Sequence, residues 1–204
     1  SWLRHCLTLR ALPEILKMFS GKCGVSGFIL APLLQRELPQ NPSMGEEMSS
    51  PPQDEIAALV NLYHSGQMAK AEQASRELLK SYPQTLVAIN VLGAALRGQG
   101  KLQEAVQTYD KAIQFNPDYA ETYYNRGNIL EQLGQLDEAI ASYDKAIQLN
   151  PDFSGAYYNR GIVLEQLEQL DEALKSFDKA IQIRPDLAEA YNNRGNILRT
   201  LELL

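Results

Sequence analysis

"YYNRGNILEQLGQLDEAIASYDKAIQLNP", Tyr123 to Pro151, is followed by "YYNRGIVLEQLEQLDEALKSFDKAIQIRP", Tyr157 to Pro185. The second copy starts 34 residues after the first and departs from it mainly by conservative exchanges. A chain that repeats itself at such a period makes one supersecondary unit several times and stacks the copies, because a single unit cannot bury its own apolar face. The same period runs outward from this stretch. Pro83, Pro117, Pro151 and Pro185 keep it, as do Ala71, Ala105, Ala139 and Ala173. So do Gly93, Gly127, Gly161 and Gly195, and the aromatics Tyr109, Tyr143 and Phe177.

Within one unit, Tyr123, Gly127, Leu130 and Leu133 follow helical spacing, and a break falls at Leu133–Gln135. A second apolar face follows in Leu136, Ala139, Ile140, Tyr143, Ala146 and Ile147. Each unit therefore reads as two antiparallel helices of about 13 residues joined by short turns. Asp118 with Glu121, and Asp186 with Glu189, form a D-x-x-E pattern that predicts a side-chain cap. Gly155 breaks the pattern in the middle copy and predicts a frayed helix start there. Asp137-Glu138 and Asp171-Glu172 put carboxylates in the first turn of the second helix, where the macrodipole favours them. Glycine inside a helix costs roughly 1 kcal/mol against alanine. Gly127, Gly161 and Gly195 therefore predict a close approach to facing alanines such as Ala139 and Ala173, with Tyr143 and Phe177 filling the gap between hairpins.

This pattern resembles the tetratricopeptide repeat (TPR) family. The match runs Tyr123, Gly127, Leu130, Ala139, Tyr143, Ala146, Pro151, and again Tyr157, Gly161, Leu164, Ala173, Phe177, Ala180, Pro185. The resemblance implies an all-α fold, a right-handed α-solenoid of antiparallel helix-turn-helix units. Its expected divisions are a leader (1–51), a degenerate repeat (52–85), three repeats (86–119, 120–153, 154–187) and the first helix of another (188–204). Arg126, Arg160 and Arg194 stand where the family is usually aliphatic, each 16 residues after Asp110, Asp144 or Asp178. That spacing fits a partly buried Arg–Asp pair between units, or an Arg with its stem packed along the surface.

By the same resemblance, the inner wall of the stack is made by first helices. It would present Glu121, Tyr124, Asn125, Asn128, Glu131 and Gln132, then Tyr158, Asn159, Glu165 and Gln166, then Glu189, Asn192, Asn193, Asn196 and Arg199. Asn125, Asn159 and Asn193 give one amide per unit, able to bond both groups of an extended peptide backbone or to bond neighbouring helices. The ladder resembles that of the O-linked N-acetylglucosamine transferases. Only Arg97 and Arg199 are basic on this wall, unlike the TPRs that clamp carboxylate tails. The expected partner is a protein or peptide segment, neutral or basic rather than acidic. The resemblance implies a non-enzymatic interaction scaffold; a substrate-docking arm of a larger glycosyl-, sulfo- or methyltransferase and a self-associating unit are the alternatives.

Charge and composition agree with this. The formal charge is -6: residues 1–43 hold five Lys/Arg against two Asp/Glu (+3), and residues 44–204 hold 14 against 23 (-9). An acidic body offers no surface for nucleic acid. Cys6 and Cys23 both lie in the leader, so the repeats carry neither a disulfide framework nor a thiolate zinc site, which suits a cytoplasmic setting. The two histidines, His5 and His64, have no metal-ligand spacing. No catalytic residue, metal or cofactor is expected, and "GKCGVSG" (Gly21 to Gly27) lacks the phosphate-loop order. The leader reads as a targeting segment, an unstructured extension, or a stretch ahead of a start at Met44 or Met48. "GFILAPLL" (Gly27 to Leu34) is too short to span a bilayer. At the other end, "NILRTLELL" (Asn196 to Leu204) leaves an apolar edge, the candidate surface for self-association.

Overall fold

The computed structural model describes residues 50–202. The readings placed on residues 1–49, including the leader, Cys6, Cys23, His5 and the Gly21–Gly27 stretch, lie outside the described residues, as do Leu203 and Leu204. Among the described residues there are nine α-helices and no strand. They are α1 (Gln53–His64), α2 (Met68–Ser81), α3 (Leu86–Gly98), α4 (Leu102–Phe115), α5 (Ala120–Gln132), α6 (Leu136–Leu149), α7 (Ser154–Gln166), α8 (Leu170–Ile183) and α9 (Ala188–Glu202). Odd-numbered helices are the first helices of their hairpins and even-numbered ones the second. Each packs on its neighbours in sequence, and α1, α3, α5, α7 and α9 also touch in succession. The result is an all-α helical repeat solenoid with a continuous row of first helices.

The first helix of each hairpin ends in the same way. In α5, Gly134 N–H donates to the Glu131 carbonyl and Gln135 N–H to the Leu130 carbonyl, at 2.9 Å each. This paired arrangement satisfies two orphan carbonyls and needs a left-handed residue between the helices. Gly66, Gly100 and Gly134 supply it at φ 73 to 74°. The fourth hairpin has Glu168 there, at φ 58°, and keeps both bonds, Glu168 N–H to Glu165 and Gln169 N–H to Leu164. A side chain in that conformation is strained, so Glu168→Gly is expected to raise the unfolding free energy by about 0.5–1 kcal/mol. A urea titration with a higher midpoint and unchanged slope is the expected readout; a lower midpoint contradicts it.

The second helices end for a different reason. Tyr82, Asn116, Asn150 and Arg184 follow them with φ between -131 and -141° and ψ between 70 and 91°. Each precedes a proline, whose ring pushes the residue before it out of the helical region.

The interior glycines face aromatics, not alanines. A Cβ on Gly93 would lie 2.4 Å from the Tyr109 ring, on Gly127 2.6 Å from Tyr143, and on Gly161 2.7 Å from Phe177. Each aromatic therefore lies across its own hairpin and fills the glycine notch, which corrects the expectation of a glycine–alanine contact. Tyr109, Tyr143 and Phe177 are fully buried, as are Ala71, Ala105, Ala139 and Ala173. Gly195 has nothing within 4 Å of such a Cβ, because no second helix follows α9 among the described residues. Leu198 of α9 is accordingly 37% exposed, where Leu130 and Leu164 at the same register are 2% exposed.

The D-x-x-E cap does not form at α5. α5 begins after Tyr119, which takes the cap position, and no side-chain cap bond is made there. Asp118 is thus one residue too early to cap. Gly155 causes no fraying either: α7 starts at Ser154 and has the same 13 residues as α5. The acidic first turns of α6 and α8, Asp137-Glu138 and Asp171-Glu172, are present.

Candidate functional site

The row of first helices carries the sequence-predicted wall, and the structure divides it by depth. Tyr124 is 2% and Asn125 1% exposed, and Asn128, Tyr158 and Asn159 are also buried. Glu131, Glu165 and Asn193 are half-buried, while Gln132, Asn192 and Asn196 are exposed. Of the flanking residues named with them, Glu121 and Arg97 are half-buried, and Gln166, Glu189 and Arg199 are exposed.

Burial decides what the amide ladder does. Asn125 Nδ2 donates to Asn90 Oδ1 at 3.0 Å, Asn159 Nδ2 to the Tyr124 hydroxyl at 3.2 Å, and Asn193 Nδ2 to the Tyr158 hydroxyl at 3.4 Å. Every rung reaches back 35 residues, to the neighbouring position in the preceding first helix. The ladder is therefore a seam between units. The expectation of amides open to a peptide backbone is corrected for Asn125 and Asn159, because a buried amide that already bonds the next helix has no free face for a ligand.

A denser cluster sits at the middle hairpin. The Tyr143 hydroxyl shares its single proton between Asn128 Oδ1 at 2.9 Å and Glu131 Oε2 at 3.1 Å. Asn159 Nδ2 also donates to Asn128 Oδ1, at 2.8 Å. Tyr124 packs between the rings of Phe153 and Tyr143, with centroids 4.8 and 6.1 Å away. Burial pushes the Glu131 carboxyl above its ordinary range, against the Tyr143 hydrogen bond and the field of Arg97, which favour the charged form. Burial likewise raises Glu165, and it raises the Tyr143 phenol far above its ordinary value. Spacing alone did not reveal Tyr143 as the tether of Asn128 and Glu131; an aromatic with a hydroxyl at a core register was the available signal.

On the other side of the first helices, the Arg–Asp pairs are present. Arg126 Nε donates to Asp110 at 2.6 Å, Arg160 Nε to Asp144 at 2.6 Å and Arg194 Nε to Asp178 at 2.5 Å. Arg126 and Arg160 also donate through Nη1 to Ser142 and Ser176, both at 2.7 Å. Each of these two guanidiniums so ties three consecutive helices. The aspartates are about half exposed, so solvent screening holds each ion pair to roughly 0.2–1 kcal/mol. The serines keep the 34-residue period.

Among the described residues no group of three or more His, Cys, Asp or Glu could hold a metal ion. His64 is exposed and lies edge-on to Tyr63, ring centroids 5.5 Å apart. No helix among the described residues is long and apolar enough to cross a membrane.

A row of tethered helical hairpins with a polar inner face defines a helical repeat scaffold for protein interactions. The family models agree: a TPR repeat model matches residues 93–134, and the tetratricopeptide repeat model matches 120–153 and 154–187. Residues 93–187 are tetratricopeptide repeats. Similar solved structures include MamA, 26% identical over 70% of this chain and 84% of that one, with a TM-score of 0.65. They include the first TPR of Spaghetti (RPAP3) bound to the HSP90 peptide SRMEEVD, 28% identical over 54% of this chain and 87% of that one, TM-score 0.53. YrrB, a TPR protein with an unusual peptide-binding site, shares the fold at 23% identity over 72% and 76%, TM-score 0.60. No curated protein matches the chain in sequence.

Proposed function

We propose that the row of first helices holds an extended segment of a partner protein, neutral or basic in character. The observation that carries this is the charge of the row's accessible part. Glu121, Glu131, Glu165 and Glu189 face only Arg97 and Arg199 among the ionised groups of that wall. The likeness to the RPAP3 repeat supports a peptide as the kind of ligand, while the charge balance here argues against an acidic tail like the one that repeat holds. In this reading Gln132, Gln166, Asn192, Asn193 and Asn196 supply the amide donors and acceptors. Tyr124, Asn125, Asn128, Tyr158 and Asn159 act from behind, as the framework that sets the wall's shape.

The reading is tested by selecting a displayed library of random linear peptides on the full chain. Enriched peptides are expected to be poor in Asp and Glu. They should lose at least about tenfold in affinity when Gln132→Arg and Gln166→Arg are combined, the scale expected when charge-assisted contacts are opposed. The outward pair Lys145→Glu and Lys179→Glu should leave them unaffected. Enrichment of acidic peptides, or loss only in the outward pair, would overturn the proposal.

A further inference from the structure

One register of the first helices reads Arg97, Glu131, Glu165, Arg199, one residue per unit. Elsewhere in the described stack several partly buried charges are paired. Glu72, with its side chain 13% exposed, meets Lys101 at 2.7 Å and Arg76 at 2.9 Å. Lys101 foremost, with Gln99 and Arg76, holds its carboxyl at about 2 despite burial. Arg126, Arg160 and Arg194 have their aspartates. Glu131 and Glu165 are half-buried, and among the described residues neither has a cation within 4 Å. Beside Glu131, sharing the Tyr143 hydroxyl with it, the buried Asn128 keeps Nδ2 without an acceptor. A half-dried carboxylate without a cation and a buried donor without an acceptor both cost stability. The first is relieved by an occupant that brings a positive side chain.

The spacing of the two carboxylates narrows that occupant. Touching helices lie about 8–10 Å apart axis to axis, so successive first helices offer a carboxylate at about that interval. A polyproline-II segment rises about 3.1 Å per residue with three residues per turn, which returns side chains i and i+3 to one side about 9 Å apart. A β-strand puts i and i+3 on opposite faces. We infer that Glu131 and Glu165 form a paired cation seat for a polyproline-II-like segment carrying Lys or Arg at two positions three residues apart. This rests on the reading that the first-helix row holds a peptide. Arg97 and Arg199 flank the seat and disfavour a third or fourth cation at the same spacing, so a uniformly basic tract is a poorer ligand than an isolated pair.

The test uses the full 204-residue chain and fluorescence anisotropy with three labelled, end-capped peptides on one Ser/Thr/Pro background. They carry Lys at i and i+3, Lys at i and i+1, or Asp at i and i+3. The first should bind most tightly, and Glu131→Gln and Glu165→Gln should each weaken it by about tenfold, the scale of one charge-assisted hydrogen bond. Circular dichroism should show both near-isosteric variants folded. Equal binding of the adjacent-Lys peptide, tighter binding of the Asp peptide, or indifference to both Gln variants overturns the seat. In those cases the groove reading survives if the binding is lost in the Gln132→Arg/Gln166→Arg chain. Failure of all three peptides to bind also overturns the seat, and the library selection then decides the groove reading separately.

Discussion

Phe177→Ala is expected to remove about 3–5 kcal/mol of unfolding free energy, the range for deleting a fully buried aromatic. Phe177 is 0% exposed and fills the notch over Gly161. Its ring centroid lies 5.8 Å from that of Tyr158, so the substitution empties the contact between the two helices of one hairpin. Neighbouring side chains cannot collapse into the space, because Ala173 and Ala180, one turn to either side, are small and already buried. Denaturant titration monitored by circular dichroism measures the loss, and a value under about 1 kcal/mol would show that the hairpin is not held at this point. In a repeat array each unit is stabilised only by itself and its neighbours. The loss should therefore appear as early melting of α7 to α9 in hydrogen exchange, with α3 to α5 protected as before.

The same notch gives a second prediction whose sign differs between two glycines of one register. An alanine Cβ at Gly161 would come within 2.7 Å of the Phe177 ring, and that ring is enclosed on all sides. Overpacking costs about 1–3 kcal/mol, against a helix-propensity gain of about 1 kcal/mol. Gly161→Ala is expected to destabilise by up to about 2 kcal/mol on balance. Gly195→Ala meets open space, so only the propensity term acts, and the chain gains about 0.5–1 kcal/mol. Two midpoints moving in the same direction would refute the notch as the reason for glycine. Combining Gly161→Ala with Phe177→Ala adds a control: with the ring gone, the alanine should cease to be harmful, and the two changes should be strongly non-additive.

The fold was legible because its punctuation is local. Pro117, Pro151 and Pro185 fix the residue before them, and Gly66, Gly100 and Gly134 fix the turn inside the first three hairpins, so helix ends follow from single residues. The capping pattern misled for the same kind of reason: Asp118 has the right type at a position one residue removed from the cap. The site was half legible. Helical spacing places Asn125 and Gln132 on one stripe of α5. Depth is another matter. It depends on how closely the next first helix approaches, and periodicity within one helix carries no information about a neighbour's distance. Asn125 ends up 1% exposed and bonded to Asn90, while Gln132, two turns on, is open to solvent. The Arg–Asp pairs could be read because both partners recur at one fixed separation, which links positions across units as well as within them.

The back-reaching bonds of Asn125, Asn159 and Asn193 also bear on mechanics. Each couples one segment to its immediate predecessor and none skips a segment, so tension applied along the axis passes through short springs connected in series. Springs in series carry the same force, so the softest extends most and gives first. Here that is the last, where the 3.4 Å contact between Asn193 and Tyr158 is the longest of the three. Pulled from both ends, the coil would lengthen by widening its pitch, and rupture would begin between α7 and α9.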